Sequence, residues 1–407
     1  MPRTLDEHLF APGPKRVLAL DGGGARGIVT IAFLERIEAL LRERSGRADF
    51  VLSDYFDLVG GTSVGSLLAT LIALGYPVAE IRQRFEGWAP DIFRRPLLAI
   101  PGLSPRFSSH GLKRHARKLL KEMPLESASL KTGLAIITKR IDTGSPWVLT
   151  NNPRAKYWDD PDDGSYIGNK NFRIADLVRA SAAAPSYFAP KRIRIVPRST
   201  RPRIPPGLFV DGGVSPFNNP ALMLLMLAGI KGYGFQWKLG TDQLLLVSVG
   251  TGSFRTPLKH TFLSRMLPKL FAAKALQGLI TDSDVLTLTL MQWLSAPKRP
   301  WEINTEIGTM QGELLSSAAD STGATPLLSF LRYDALLDRA WLNDNIAPRL
   351  KTTFADESVE PLKALDRHDM MRDLHRIGEI AADIQVTADD FPAQFDPQPA
   401  AQAAASP

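Results

Sequence analysis

The sequence contains no cysteine. That excludes a disulfide framework, a thiolate zinc site and a cysteine nucleophile, and it fits a reducing compartment. Histidine is scarce: His8, His110, His115, His260, His368 and His375 are the whole set. None follows a plausible sheet strand, and all read as surface residues, so an ordinary Ser-His-Asp hydrolase has no imidazole to draw on. Long apolar runs are also missing. The strongest, 67–74 and 221–230, fall far short of the roughly 20 residues that cross a bilayer. The N-terminal MPRTLDEHLFAPGPKR lacks the apolar core of a signal peptide. These absences predict a cytoplasmic protein, at most peripheral on a membrane. Neither sign of charge dominates: 49 Lys+Arg against 42 Asp+Glu leaves +7, which suits an anionic partner without specifying one. With 44% apolar residues, the 407-residue chain has enough material for a sizeable core.

What is present has a repeated grammar. Residues 17–20 form a short apolar run that ends in Asp21-Gly22-Gly23-Gly24-Ala25-Arg26-Gly27. Ile28, Ile31, Leu34, Ile37 and Leu41 follow at helical spacing. Residues 55–59 are a second apolar strand, Gly60–Gly65 a tight turn, and 66–76 an almost wholly apolar helix. Two strand–turn–helix units predict an α/β fold, a mainly parallel central sheet flanked by helices. Further strands are expected at 134–140, 147–150, 208–210 and 244–249, and helices at 111–122 and 174–182. The expected organisation is a lead over 1–15, a catalytic core over 16–255, a mostly helical extension over 256–381 packed on the core, and a disordered tail over 382–407, rich in Ala, Pro, Gln and Asp.

Gly61-Thr62-Ser63-Val64-Gly65 fits the nucleophile-elbow pattern G-x-S-x-G. A sharp strand-to-helix turn lifts the serine hydroxyl out of the sheet, and small residues two before and two after prevent collisions. No histidine is placed to serve as base, and one acidic residue has a suitable setting. Asp211-Gly212-Gly213 turns directly out of the apolar run 208–210, so its carboxylate can approach another turn closely; an ordinary Asp-Gly turn is the alternative. The turn Gly22–Gly27 has two readings. Its G-x-G-x-x-G spacing is that of a dinucleotide-binding loop. Its adjacent glycines also expose backbone N–H groups at a helix start, where an oxyanion can be held.

Together, Asp21–Gly27, Gly61–Gly65, Asp211–Gly213 and the segment Arg179-Ala-Ser-Ala-Ala-Ala-Pro-Ser-Tyr-Phe188 resemble the patatin-like phospholipase family, over about residues 16–253. The resemblance implies hydrolysis of lipid acyl esters by a Ser/Asp dyad through an acyl-enzyme. It makes Ser63 the nucleophile and Asp211 the base. The turn Gly22, Gly23, Gly24, Ala25, Arg26, Gly27 becomes the oxyanion hole, chiefly through amides near Gly23 and Gly24. Arg26 either steadies that loop or approaches a lipid phosphate. No metal and no cofactor is implied. The alternatives are a nucleotide-binding α/β protein that uses the Gly22–Gly27 turn, and an inactive lipid-binding scaffold.

The expected partner is a phospholipid or other acyl lipid. Residues 91–140 hold eleven Lys/Arg against three Asp/Glu. Residues 187–209 carry Lys191, Arg192, Arg194, Arg198, Arg201 and Arg203 with no acid. Such stretches suit peripheral contact with an anionic membrane surface, or are solvated charge balanced elsewhere. Residues 259–280 combine basic and apolar side chains, as a membrane-surface helix or a cap over the site would. The basic stretches lack a recognisable nucleic-acid-binding module, and no nucleic acid is expected.

Overall fold

A computed structural model describes residues 2–94, 106–108, 110–254, 268–304, 306–317 and 325–397. Nine strands among them form one sheet: β1 (Lys15–Leu20), β2 (Leu58–Thr62), β3 (Gly133–Arg140), β4 (Ser145–Thr150), β5 (Lys191–Ile193), β6 (Gly207–Asp211), β7 (Gly240–Val249), β8 (Ala296–Pro297) and β9 (Leu328–Tyr333). From β3 the ladder passes through β2, β1, β7, β9 and β8, every pair parallel. Only β4, β5 and β6 pair antiparallel. The fold is thus the α/β arrangement that the two strand–turn–helix units predict.

Helices cover both faces, so the central strands are buried on both sides and read as unbroken apolar runs. The two-residue period of a strand divides them between two cores. Leu18 and Leu20 of β1 join one cluster, with Leu245, Val247 and Val249 of β7. Val17 and Ala19 join the other, with Leu244 and Leu246.

Three details depart from expectation. The strand placed at 55–59 lies later, because Leu52–Tyr55 closes a helical turn and β2 runs through both glycines of its motif. Gly60 lets the covering helix Ala221–Gly229 pack closely: a Cβ there would fall 2.5 Å from Leu224 Cδ2, and that side chain would have to move. The extension is more than helical, since β8 and β9 complete the sheet. The disordered tail placed at 382–407 does not hold for 382–397. The helix Met371–Gln385 runs into that stretch, and Phe391 and Phe395 behind it are buried. Phe391 packs edge-on to Tyr55, and the Phe395 carbonyl accepts from Arg16 Nη1 at 3.1 Å. Composition hid these two aromatic anchors. Residues 398–407 lie outside the described residues.

The sheet has two chemically distinct ends. At the N-terminal end Asp57 is buried between Arg16, Arg3 and His8. Burial pushes its carboxyl up, but the three partners outweigh burial and hold it well below the usual carboxylate range. The C-terminal end, where parallel α/β sheets place their ligand clefts, carries the serine and glycine turns.

Candidate active site

The register explains why two residues 148 positions apart meet. β4 occupies one edge of β3. Along the other edge β2 climbs until Thr62 pairs with Ile137, and β6 descends until Asp211 pairs with Thr138. The two strands therefore end head to head on adjacent rungs. Ser63 leaves the sheet at φ 56°, ψ −123°, a conformation that costs a β-carbon residue roughly 1–3 kcal/mol and persists only where its surroundings enforce it. Gly61 and Gly65 allow it: a Cβ on Gly61 would lie 2.1 Å from the Gly65 carbonyl, and one on Gly65 would lie 2.2 Å from the Leu20 oxygen. Thr62 Oγ1 donates to the Phe217 carbonyl at 2.6 Å, and Val64 opens the elbow helix Val64–Ala73. The Ser63 carbonyl accepts from Ser66 N–H at 3.0 Å. The outcome is that Ser63 Oγ donates to Asp211 Oδ2 at 2.7 Å.

The other carboxylate oxygen, Asp211 Oδ1, accepts the Gly213 N–H at 2.8 Å. Gly212 sits where a Cβ would strike the Ile137 carbonyl at 2.5 Å. Burial pushes the Asp211 carboxyl up to about 6, while the Ser63 and Gly213 hydrogen bonds and the nearby Arg179 guanidinium draw it down. It is ionised at neutral pH, yet more basic than a free carboxylate near 4.

The glycine turn stands beside the serine, a Cβ on Gly22 falling 3.3 Å from Ser63 Cβ. Several of its amides are engaged: Gly22 N–H donates to the Asn218 carbonyl, Ala25 N–H to that of Leu365, Arg26 N–H to that of Gly23, and Gly27 N–H to that of Gly24. The Gly23 and Gly24 amides have no partner among the described residues. Arg26 is buried, donates to the Gly252 carbonyl and lies 4.9 Å over the Phe254 ring. These contacts tie it to the loop that carries Gly252 and Phe254.

These groups share a cavity of about 780 Å³. Val64, Leu67, Phe85, Phe93, Val178 and Phe188 line it, as do Ile280, Val285 and Leu288 of the long helix Pro268–Trp293. Of the stretch 259–280, residues 259–267 lie outside the described residues; Ile280 at its end faces the cavity, as a cap would. No histidine lines the cavity among the described residues. His8 and His375 are buried, against the surface reading. His8 Nδ1 lies 3.0 Å from Asp57 Oδ1. His375 offers Nε2 to Glu35 at 2.9 Å and Nδ1 to Glu379 at 3.5 Å, two carboxylates on separate ring nitrogens, away from the cavity. His260 lies outside the described residues.

Sequence reasoning missed several supports. Asn218 Nδ2 donates to Asp284 Oδ2 at 2.9 Å, and burial pushes Asp284 up to about 6. Arg332 donates to Asp21 Oδ2 and to Asp334 Oδ2, both at 2.7 Å. Two acids, Asp282 and Asp284, in a largely apolar helix and a lone cation in an apolar run were the only signals. The basic loop 194–206 exposes Arg198, Arg201 and Arg203. It is tied at Thr200 Oγ1 and the Ile195 carbonyl to the segment that carries Asp159, Asp160, Asp162 and Asp163.

A family model described as patatin-like phospholipase matches residues 18–225. The chain is 32% identical over 195 residues to a cGAMP-activated phospholipase of Vibrio cholerae, covering 45% of this chain and 51% of that protein. It is 31% identical over 254 residues to a cGAMP-activated phospholipase of Escherichia coli, covering 61% and 65%. It is 31% identical over 249 residues to patatin group J-1 of Solanum tuberosum, covering 58% and 60%. The chain thus spans between half and two thirds of the length of these relatives.

Proposed function

Because this chain belongs to the patatin-like phospholipase family, we propose that it hydrolyses the carboxylic esters of membrane lipids through an acyl-enzyme on Ser63, with Asp211 as base. The observation that carries the reading is the 2.7 Å contact between Ser63 Oγ and Asp211 Oδ2 on the wall of a largely apolar cavity. As Oγ attacks the ester carbonyl carbon, its proton passes to Asp211. The carbonyl oxygen takes up the displaced electron pair and accepts from the Gly23 and Gly24 amides, a donor of this kind being worth about 3–4 kcal/mol. Collapse expels the alcohol or lysolipid oxygen, which takes the proton back. Water, deprotonated by the same carboxylate, then releases the fatty acid. The nucleotide-binding alternative finds no support at β2, which ends in Thr62 and then Ser63 where a ribose-binding acid is wanted. Exposed Arg198, Arg201 and Arg203 support peripheral contact with an anionic membrane, weakened by the neighbouring aspartates.

A fluorophosphonate probe is expected to label the wild-type chain and not Ser63→Ala, and lipid digests read by mass spectrometry are expected to show fatty acid release only from the former. Two relatives carry cGAMP activation in their names, so the digests are run with and without a cyclic dinucleotide. Equal labelling of both chains would remove Ser63 from the mechanism.

The base must be ionised to act. With Asp211 raised to about 6, kcat/KM on a soluble ester is expected to climb with pH through about 6 and level off near neutrality. Arg179 favours the ionised form, so Arg179→Met is expected to move that midpoint upward. A midpoint near 4 in the wild-type profile would mean that the working base is a solvated carboxylate.

A further inference from the structure

The amides of both dyad residues are received by one short piece of chain. Ser63 N–H donates to Ser181 Oγ at 2.8 Å, and Asp211 N–H donates to the Ala183 carbonyl at 3.1 Å. Ser181 closes the helix Ile174–Ser181 and is fully buried. Its hydroxyl passes the bond on, donating to the Ile137 carbonyl at 2.6 Å. Ile137 is the β3 partner of Thr62, the last residue of β2 in the ladder. Where β2 leaves the sheet, a hydroxyl is thus inserted between a departing strand amide and the neighbouring strand's carbonyl. A serine hydroxyl suits that place because it accepts and donates at once.

Two consequences follow for the nucleophile. Its backbone, at positive φ, is held at the amide by Ser181 and at the carbonyl by Ser66, so rotation about χ1 alone is left to aim Oγ at Asp211. Its amide is also spent, which leaves oxyanion binding to the Gly23 and Gly24 side of the cavity.

We propose that Ser181 is a positioning residue for Ser63, its hydroxyl acting as the spacer that fixes the nucleophile's backbone, while residues 181–183 set the separation of the dyad. Ser181 touches neither substrate nor the reacting oxygen. The inference rests on the Ser63–Asp211 reading above.

The test is Ser181→Ala in the full chain, with active sites counted by fluorophosphonate titration. Ser181→Ala is expected to lower both the labelling rate and kcat per titrated site about 10–100-fold, the scale of a misplaced reacting group. KM on a soluble ester stays within twofold. Hydrogen exchange at the Ser63 amide accelerates, and Ser181→Thr, which restores the hydroxyl, recovers most of the rate. A merely structural role gives fewer titratable sites, each turning over at the wild-type rate, and that result overturns the proposal. Should the alanine variant not fold, Ser181→Cys, which fills the site with a somewhat larger atom and a weaker hydrogen bond, is read by the same ratio. Failure of the dyad reading is seen elsewhere, as full activity in Asp211→Asn, while Ser63 amide exchange in Ser181→Ala still reports on the positioning.

Discussion

Asp211→Asn is expected to reduce kcat on the order of 10³-fold without lowering the melting temperature at pH 7. Asparagine keeps the shape and keeps an oxygen for the Gly213 N–H, which Asp211 Oδ1 now accepts at 2.8 Å. The atom turned toward Ser63 Oγ becomes an amide nitrogen, which donates where the carboxylate accepted, so the serine proton has no acceptor. The stability side has a definite sign. Burial raises the folded-state carboxyl from 3.8 to about 6, so its ionised form is disfavoured in the folded chain. A carboxyl raised in this way favours folding below pH 4 and loses that advantage as pH climbs to about 6, a difference of about 3 kcal/mol at neutrality. Asparagine carries no such charge, so the variant should melt at or above the wild-type temperature at pH 7. Parallel kinetic and melting curves on the two proteins check both halves. Near-normal turnover would assign the base to another group, and a lower melting temperature would mean that the ionised carboxylate holds the two turns together.

Much of this site was legible because its chemistry is local. An elbow needs glycine at both flanks of the serine, and a base turn needs glycine after the aspartate, so Gly61, Gly65 and Gly212 report close backbone contacts that no other residue permits. What the sequence could not display was the partner of each turn. That Asp211 lies one rung beyond Thr62 depends on β2 and β6 sharing an edge of β3, a register that only the assembled sheet defines. Ser181 sat inside a recognised segment with nothing to separate it from an ordinary helix-ending serine. The tail failed for the opposite reason. Average composition over 382–407 diluted Phe391 and Phe395, two buried rings that decide whether the stretch is ordered. Burial of a few large side chains outweighs a polar average.

The extension beyond the family match supplies a charge on which the glycine turn depends, and Arg332→Met is expected to destabilise the chain by about 3–5 kcal/mol. Arg332, on β9, is buried, with Nη2 between Asp21 Oδ2 and Asp334 Oδ2 and Nη1 2.8 Å from Ser248 Oγ. Asp21 opens the glycine turn, and Asp334 Oδ1 accepts the Gly252 N–H at 2.8 Å on the loop whose carbonyl receives Arg26. Methionine would fill the space and leave two buried carboxylates facing each other without a cation. Burial already raises Asp21 to about 7 against the pull of Arg332, so removing the guanidinium raises it further. Stability from a carboxyl raised in the folded state is present below about pH 4 and drains away as pH rises. Wild-type Asp21 already holds its proton to about pH 7, so both chains lose the same contribution between about pH 4 and pH 7; the variant goes on losing it above that, and its deficit should be wider at pH 8.5 than at pH 5. Adding Asp21→Asn should recover part of it, as coupled neighbours do. Urea midpoints for the wild type and the two variants at both pH values check this. An equal loss at the two pH values, with no rescue by Asp21→Asn, would mean that Arg332 contributes by packing and leave the glycine turn independent of the extension's charge.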